Sequence, residues 1–384
     1  MYLFYFLLGA LLFVGARVCG RGEWNEEYTS LRQTRMLLGV AALGVALHHM
    51  GQKSCAPWHK QQYIVHGLDF FVPIGFPLVA LFLFCSGFGL YRSLKTKPDY
   101  LRGFFKRRVA PIVAAYYLSE LIYLAVRAAV GQQMETADVL WYLTGLHMAN
   151  FNAWYAVVIV FFYAAFYLAF RYSRSDGAAI LYVTAFTLAY TVFGACLDHQ
   201  DVWWMQGEWW YNSIIMFPLG LLFGKYEAKL TAFFKRGYPF WLALSLAATV
   251  GLFHLSVLVS EVWWGYYGEN WDDPLKVLHR LGSCGAQWLV CVAFVAFCFL
   301  LLMKLRLGNR VLGLLGGVTL EFYLIHGVFV ELFGYNFQEI APSLTYIRDV
   351  PTYIAAVLAC SAVATALFRW LWKLSLRALG LQRR

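Results

Sequence analysis

Charged residues are scarce in this chain. Only 14% of its 384 residues are charged and 61% are hydrophobic, whereas soluble domains carry about 25% charged residues. One water-soluble domain cannot bury that much apolar surface, and the high hydrophobicity also excludes an intrinsically disordered chain. The 8 cysteines are too sparse for a small disulfide scaffold. What remains is a membrane protein with several spans.

The sequence also lacks the alternation of apolar and polar residues over ~10-residue segments that a membrane β-barrel requires. It has long apolar runs instead, such as 70–90 and 287–303. These runs approach the roughly 20 residues that a helix needs to cross a bilayer core of about 30 Å. We therefore predict an all-α, polytopic transmembrane helical bundle with eleven spans, at 2–18, 36–50, 70–91, 109–126, 154–170, 178–197, 212–224, 239–260, 285–303, 311–334 and 352–372.

The first predicted span has neither a charged n-region nor a small-residue cleavage site. This pattern favours a retained anchor over a cleaved signal peptide. We accordingly divide the chain into an N-terminal anchor with its following loop, 1–35, and a membrane domain, 36–384. The sequence shows no repeat of fixed period, and no Pro/Ser-rich linker divides it. We therefore expect no separate soluble module.

Basic residues are distributed unequally between the predicted loops. With the N-terminus outside, the inside loops hold 24 Lys and Arg and the outside loops hold 6. Positive loops stay on the cytoplasmic side, so we expect a multi-pass protein with a cytoplasmic C-terminus. The net charge of +10 follows from this bias and adds attraction to anionic membrane lipid. Because the basic residues are scattered over six loops, they do not indicate nucleic-acid binding.

The predicted outside loops 198–211 and 261–284 combine acidic residues with tryptophan and tyrosine. This composition fits an aromatic belt at the membrane surface. It also fits a surface on which sugar rings stack and hydroxyls meet carboxylates. The two interpretations are compatible.

Ionisable side chains inside a span are costly, and each is a candidate for function. The second span carries Arg35, His48 and His49. At 100° per residue, His49 lies about 40° from Arg35 around the helix and His48 about 140° away. Only His49 therefore shares a face with Arg35. Adjacent histidines that point to different sides argue against a metal site.

The tenth span carries a second set, Glu321, Tyr323 and His326, with Glu331 further along. Tyr323 and His326 are three residues apart and share a face. A neutral imidazole can accept a proton from an alcohol, so either histidine could serve as a general base. Hydrogen-bonded packing residues are the alternative for each histidine taken alone.

A transporter or a flippase of glycan precursors is the alternative function. Such proteins also have many spans with buried charges, and they show paired half-repeats or helices broken at matching positions. Neither feature is clear in this sequence. The chain also lacks a P-loop and a Gly-x-Ser-x-Gly nucleophile elbow.

Several stretches together resemble acyltransferase family 3, membrane proteins that move acyl groups, often acetyl, from acyl-CoA to sugars and glycans. The resemblance implies a ten-span core, which leaves the first span here as an addition. It rests on LGVAALGVALHHM at 38–50, FLFCSGF at 82–88 with FFKRRVAP at 104–111, NAWY at 152–155 with Tyr163, 211–220, and LEFYLIH at 320–326.

The resemblance is incomplete at two basic positions. Aligning His49 with the family histidine places Leu38 where the family has a basic residue. Either Arg35, one helical turn earlier on a similar face, substitutes for it, or the site is altered. Arg108 matches the family arginine that precedes a proline, while the earlier arginine of that loop meets Phe105, with Arg107 as the nearest substitute.

The resemblance implies a mechanism with acyl-CoA as donor substrate and no permanently bound cofactor. We expect Lys106, Arg107 and Arg108 to bind the CoA phosphates. His49, or alternatively His48, would deprotonate the acceptor or carry the acyl group briefly. The acceptor would be a sugar, an exopolysaccharide or a lipid-linked glycan, and the location a bacterial cytoplasmic (inner) membrane. Of the remaining catalytic-site residues, Glu321, Tyr323 and His326 would orient the base or the thioester carbonyl. Arg35 would take the place of the family's basic residue.

Overall fold

A computed structural model describes residues 2–145, 147–197, 199, 204–264, 273–335 and 346–381. Within these ranges the chain is mainly helical. The helices are α1 Tyr2–Phe13, α2 Leu31–Ser54, α3 Gly75–Thr96, α4 Ala110–Ala129, α5 Thr136–Thr144, α6 Trp154–Tyr172, α7 Asp176–Cys196, α8 Met216–Lys235, α9 Tyr238–Val257, α10 Lys276–Leu302, α11 Arg310–Leu315, α12 Thr319–Phe333 and α13 Val350–Ala378. Two short strands, β1 Arg17–Val18 and β2 Leu305–Arg306, pair antiparallel.

Among the described residues, seven helical segments are long and apolar enough to cross a membrane. The predicted all-α polytopic bundle is thereby confirmed, whereas the predicted number of eleven spans is not. Helix α2 has 24 residues, which is long enough for a span, but its arginines and histidines make it less apolar. The seven segments are Gly75–Thr96, Phe105–Ala129, Phe151–Tyr172, Asp176–Cys196, Tyr238–Trp263, Lys276–Leu302 and Val350–Ala378.

The predicted first span, 2–18, is shorter than expected. Helix α1 has 12 residues and a length of about 18 Å, less than a bilayer core of about 30 Å. The chain turns at Gly15, whose φ is +72°, and then forms β1. A Cβ on Gly308 would lie 1.9 Å from the Gly15 carbonyl oxygen, so the two backbones touch where β1 meets β2. The domain boundary at residue 35 stays a prediction.

The predicted tenth span, 311–334, is two helices. Helix α11 ends at Leu315 and α12 begins at Thr319. At the break, a Cβ on Gly316 would lie 1.7 Å from the backbone oxygen of Arg35. The chain therefore passes against the start of α2 at a distance that only glycine allows, and α12 starts next to that helix.

Helices α3 and α8 pack with their backbones in contact. A Cβ on Gly87 would lie 2.1 Å from the Phe217 oxygen, and one on Gly220 would lie 2.2 Å from the Phe84 oxygen. Close approach of this kind is what small residues permit between helices in a membrane. With Gly87 facing α8, the neighbouring Ser86 faces the interior of the bundle.

Candidate active site

The histidines of the two predicted histidine-bearing segments meet. Helices α2 and α12 bring His49 Nδ1 within 2.8 Å of His326 Nε2. The two rings are 5.0 Å apart and nearly parallel, at 5°. Both side chains are buried, with His49 8% and His326 0% exposed. We call His49 and His326 the histidine pair.

Hydrogen bonding fixes the tautomers of a neutral histidine pair. His326 Nδ1 lies 3.0 Å from the backbone oxygen of Phe322, and because a carbonyl can only accept, Nδ1 is the donor. Nε2 of His326 must then accept the hydrogen bond from His49 Nδ1. This arrangement leaves His49 Nε2 without a proton, which is the state that a general base requires.

His48 is turned away from the pair. Its Nδ1 donates to the backbone oxygen of Phe71 at 3.0 Å. Its ring packs over Gly75, where an added Cβ would lie 2.3 Å from His48 Nε2. Of the two adjacent histidines, His49 is therefore the one that contacts His326. Among the described residues, no group of three or more His, Cys, Asp or Glu is arranged to hold a metal ion.

A cavity of about 790 Å³ lies between α2, α3, α4, α6 and α12, within the usual size range of ligand sites. His326 and Tyr323 form part of its wall. Along α2, the lining runs from Leu31 to Val45, a distance of about 21 Å. Val45 is one helical turn before His49, so the cavity ends next to the histidine pair.

The other end of the cavity is positively charged. Arg35, Arg92, Lys97 and Arg108 line it, and we call these four residues the basic end. Arg108 Nε donates to the Tyr100 hydroxyl at 3.0 Å, and Arg92 Nη1 donates to a backbone oxygen at 3.1 Å. No Asp or Glu is among the described residues that line the cavity. The basic end is therefore suited to an anionic ligand.

Only one of the three predicted phosphate-binding residues lies on the cavity. The π-helical turn Phe105–Val109 directs Arg108 inward, while Lys106 and Arg107 are exposed. The guanidinium of Arg107 donates to the backbone oxygens of Tyr100 and Arg102. Arg92 and Lys97 line the cavity but were not among the predicted residues. The sequence did carry a signal for them, because both belong to the same basic loop, 92–108.

Arg35 and Glu321 are not neighbours of the histidine pair. Arg35 shares a helix face with His49, but 14 residues place it about 21 Å away along the axis, at the basic end. Glu321 Oε1 lies 3.6 Å from Arg369 Nε on α13 and is not on the cavity wall. Glu321 is two positions before Tyr323, which corresponds to about 200° around the helix, so the two side chains face opposite sides.

Tyr323 does flank the histidine pair. Its ring lies 6.2 Å from the His326 ring, as the three-residue spacing predicts. Its hydroxyl is buried. The ring of Tyr323 therefore forms the part of the cavity wall beside His326.

A buried polar network holds α12 in place. Asn150 Nδ2 donates to the Leu324 oxygen at 2.9 Å and to Ser119 Oγ at 2.8 Å, and that hydroxyl also donates to Leu324 at 3.0 Å. The Glu120 carboxylate accepts from the backbone N–H groups of Ala149 and Asn150 at 2.6 and 3.2 Å. Leu324 lies between Tyr323 and His326, so this network positions the stretch that carries both rings.

Beyond the histidine pair, α2 and α12 continue to a second group of charges. Glu331 interacts electrostatically with Lys53 and Arg127, and all three lie at the end of the bundle opposite to the basic end. Tyr63 and Tyr335 stack above them, with rings 5.1 Å apart. Parts of the predicted sugar-stacking loops, namely 198, 200–203 and 265–272, lie outside the described residues.

Comparison with known proteins identifies one family. The model of the family 3 acyltransferase domain matches residues 37–369, a range that contains the histidine pair and most of the cavity. No curated protein and no solved structure matches the chain in the corresponding comparisons. The chain therefore belongs to acyltransferase family 3 and is a membrane acyltransferase.

Proposed function

We propose that the protein transfers an acyl group, acetyl in the first instance, from acyl-CoA to a hydroxyl group of a sugar, an exopolysaccharide or a lipid-linked glycan. One observation carries the proposal. A cavity with four cations at one end, and no carboxylate among its described lining residues, leads to a hydrogen-bonded histidine pair at the other end. This arrangement suits a ligand that is anionic at one end and reactive at the other.

The charge of the cavity favours one orientation of the donor. The CoA phosphates would bind the basic end through charge-assisted hydrogen bonds. The arm of the donor would follow the apolar wall formed by Leu38, Ala42 and Ile159. Its thioester would then lie beside His326. Because acyl-CoA is a cytoplasmic metabolite, this orientation makes the basic end cytoplasmic, in agreement with the positive-inside rule.

The chemistry uses His49 as general base. Its Nε2 takes the proton of the acceptor hydroxyl as the oxygen attacks the thioester carbonyl. The tetrahedral intermediate breaks its C–S bond, and the leaving thiolate recovers the proton from the His49 imidazolium. His326 holds the His49 ring in the required tautomer throughout. Transfer by way of an acyl group carried on His49 is the alternative route.

The acceptor would approach from the opposite end of the bundle. Stacked tyrosines are suitable for sugar rings, and Tyr63 and Tyr335 stack there. Lys53 and Glu331 provide groups that hydrogen-bond hydroxyls. In a bacterial inner membrane this end would face away from the cytoplasm, where envelope glycans are modified.

The test uses purified protein reconstituted in nanodiscs with acetyl-CoA and envelope glycans. We expect release of free CoA that depends on the glycan, together with a glycan mass increase of one acetyl group. Protein with His49→Ala serves as the control for spontaneous hydrolysis. Glycan movement across vesicles without any consumption of acyl-CoA would instead indicate a flippase or transporter and overturn the proposal.

A further inference from the structure

A set of hydroxyl groups lines the middle of the cavity, between the basic end and the histidine pair. Ser86 on α3 and Tyr155 and Tyr163 on α6 all belong to the lining. Ser86 Oγ and the Tyr155 hydroxyl are 3.4 Å apart. Tyr163 lies near both Ser86 and Arg108. We call Ser86, Tyr155 and Tyr163 the hydroxyl set.

The position of the hydroxyl set along the cavity follows from the helices. On α3, Ser86 is six residues, or about 9 Å, from Arg92 at the basic end. On α6, Tyr163 interacts with Arg108 of the basic end. The Tyr155 ring lies 5.9 Å from that of Tyr323, which adjoins His326. The set therefore spans the interval between the cations and the histidine pair.

Packing alone does not require hydroxyl groups at these positions. Gly87, not Ser86, makes the close contact with α8. Apolar side chains, Val79 and Ile159 among them, also line this part of the cavity. A hydroxyl can both donate and accept, so it can pair with either the N–H or the C=O of an amide. Polar groups placed in an apolar pocket commonly fix the orientation of its ligand.

We propose that the hydroxyl set binds the amide groups of the pantetheine arm of the donor. This inference rests on the proposed function, in which acyl-CoA occupies the cavity. The basic end binds the phosphates, the hydroxyl set binds the amides, and the thioester reaches the histidine pair. Three groups of residues in the cavity thus recognise three different parts of the donor.

Three donors separate these parts experimentally. Acetyl-CoA has phosphates, amides and the thioester; acetyl-pantetheine lacks the nucleotide phosphates; ethyl thioacetate has the thioester alone. For Ser86→Ala and Tyr155→Phe, we expect kcat/KM to fall about 3- to 10-fold, the loss of one neutral hydrogen bond, with acetyl-CoA and acetyl-pantetheine alike. With ethyl thioacetate, both variants should match the wild type.

Matched variants control for stability and for the phosphate contacts. Tyr190→Phe and Ser361→Ala remove buried hydroxyls that lie off the cavity wall and should change no rate. Arg108→Gln should lower kcat/KM for acetyl-CoA and leave acetyl-pantetheine unchanged.

The possible outcomes separate this inference from the proposed function. Wild-type protein that uses acetyl-CoA, with variants of the hydroxyl set indistinguishable from it on every donor, would overturn the inference alone. An equal loss on all three donors would also overturn it, because the set would then act on the reaction itself. Wild-type protein that uses no thioester would overturn the proposed function.

Discussion

Replacing His326 separates the orientation of the base from the base itself. His326 accepts a hydrogen bond from His49 Nδ1 at 2.8 Å and is completely buried. In His326→Leu, the His49 N–H loses its partner in an apolar setting. In His326→Gln, the amide oxygen can accept the same hydrogen bond, so the His49 tautomer is retained.

The size of the effect follows from the cost of a buried, unpaired donor, about 1–3 kcal/mol. Since about 1.4 kcal/mol corresponds to a tenfold change in rate, His326→Leu should lower kcat about 5- to 150-fold. His326→Gln should recover most of that loss. The KM for acyl-CoA should stay constant in both variants, because the basic end is about 21 Å from the pair along α2.

The assay is the release of free CoA by reconstituted protein, measured over a range of acetyl-CoA concentrations with saturating glycan. Thermal unfolding of each variant verifies that the bundle is intact. Equal kcat values for wild type, Leu and Gln variants would refute the reasoning. So would a Gln variant as slow as the Leu variant, because orientation through the hydrogen bond would then be irrelevant.

Three further predictions concern the cavity and the packing around it. Arg108→Gln should raise the KM for acetyl-CoA more than Lys106→Gln, which alters an exposed side chain; equal effects in steady-state kinetics would contradict the assignment of the basic end. Gly87→Ala should destabilise the bundle by about 1–3 kcal/mol through overpacking, whereas Gly89→Ala, with open space around it, should not; unfolding in denaturant would expose the error if both behave alike. Asn150→Leu removes two buried hydrogen bonds and should lower both the melting temperature and kcat, with KM unchanged; a normal kcat in the folded variant would remove that network from the positioning of α12.

Sequence reasoning identified the two histidines but not their contact. Hydropathy and side-chain spacing mark His49 and His326 as polar residues within apolar segments, and this can be read from each segment alone. Their contact joins residues 277 positions apart and depends on how α2 packs against α12. No local pattern contains that information.

Three features of the structure could not be predicted from the sequence, and each has a local cause. The helical wheel gives the angle between Arg35 and His49 but ignores the distance along the axis, which separates them. A hydropathy window averages over the break at Gly316 and so merges α11 with α12. The π-helical turn Phe105–Val109 has more residues per turn than the 3.6 of an α-helix. Regular helix spacing therefore does not show that Arg108 points inward while its neighbours point outward.

The most direct test of the mechanism compares His49→Ala with wild-type protein for acetyl-CoA binding and for acetyl transfer in the same nanodisc preparation. The proposed mechanism predicts unchanged binding, because the basic end is intact, and a loss of transfer of about 10²- to 10⁴-fold, the usual contribution of a general base. Transfer at the wild-type rate by a folded His49→Ala variant would contradict it.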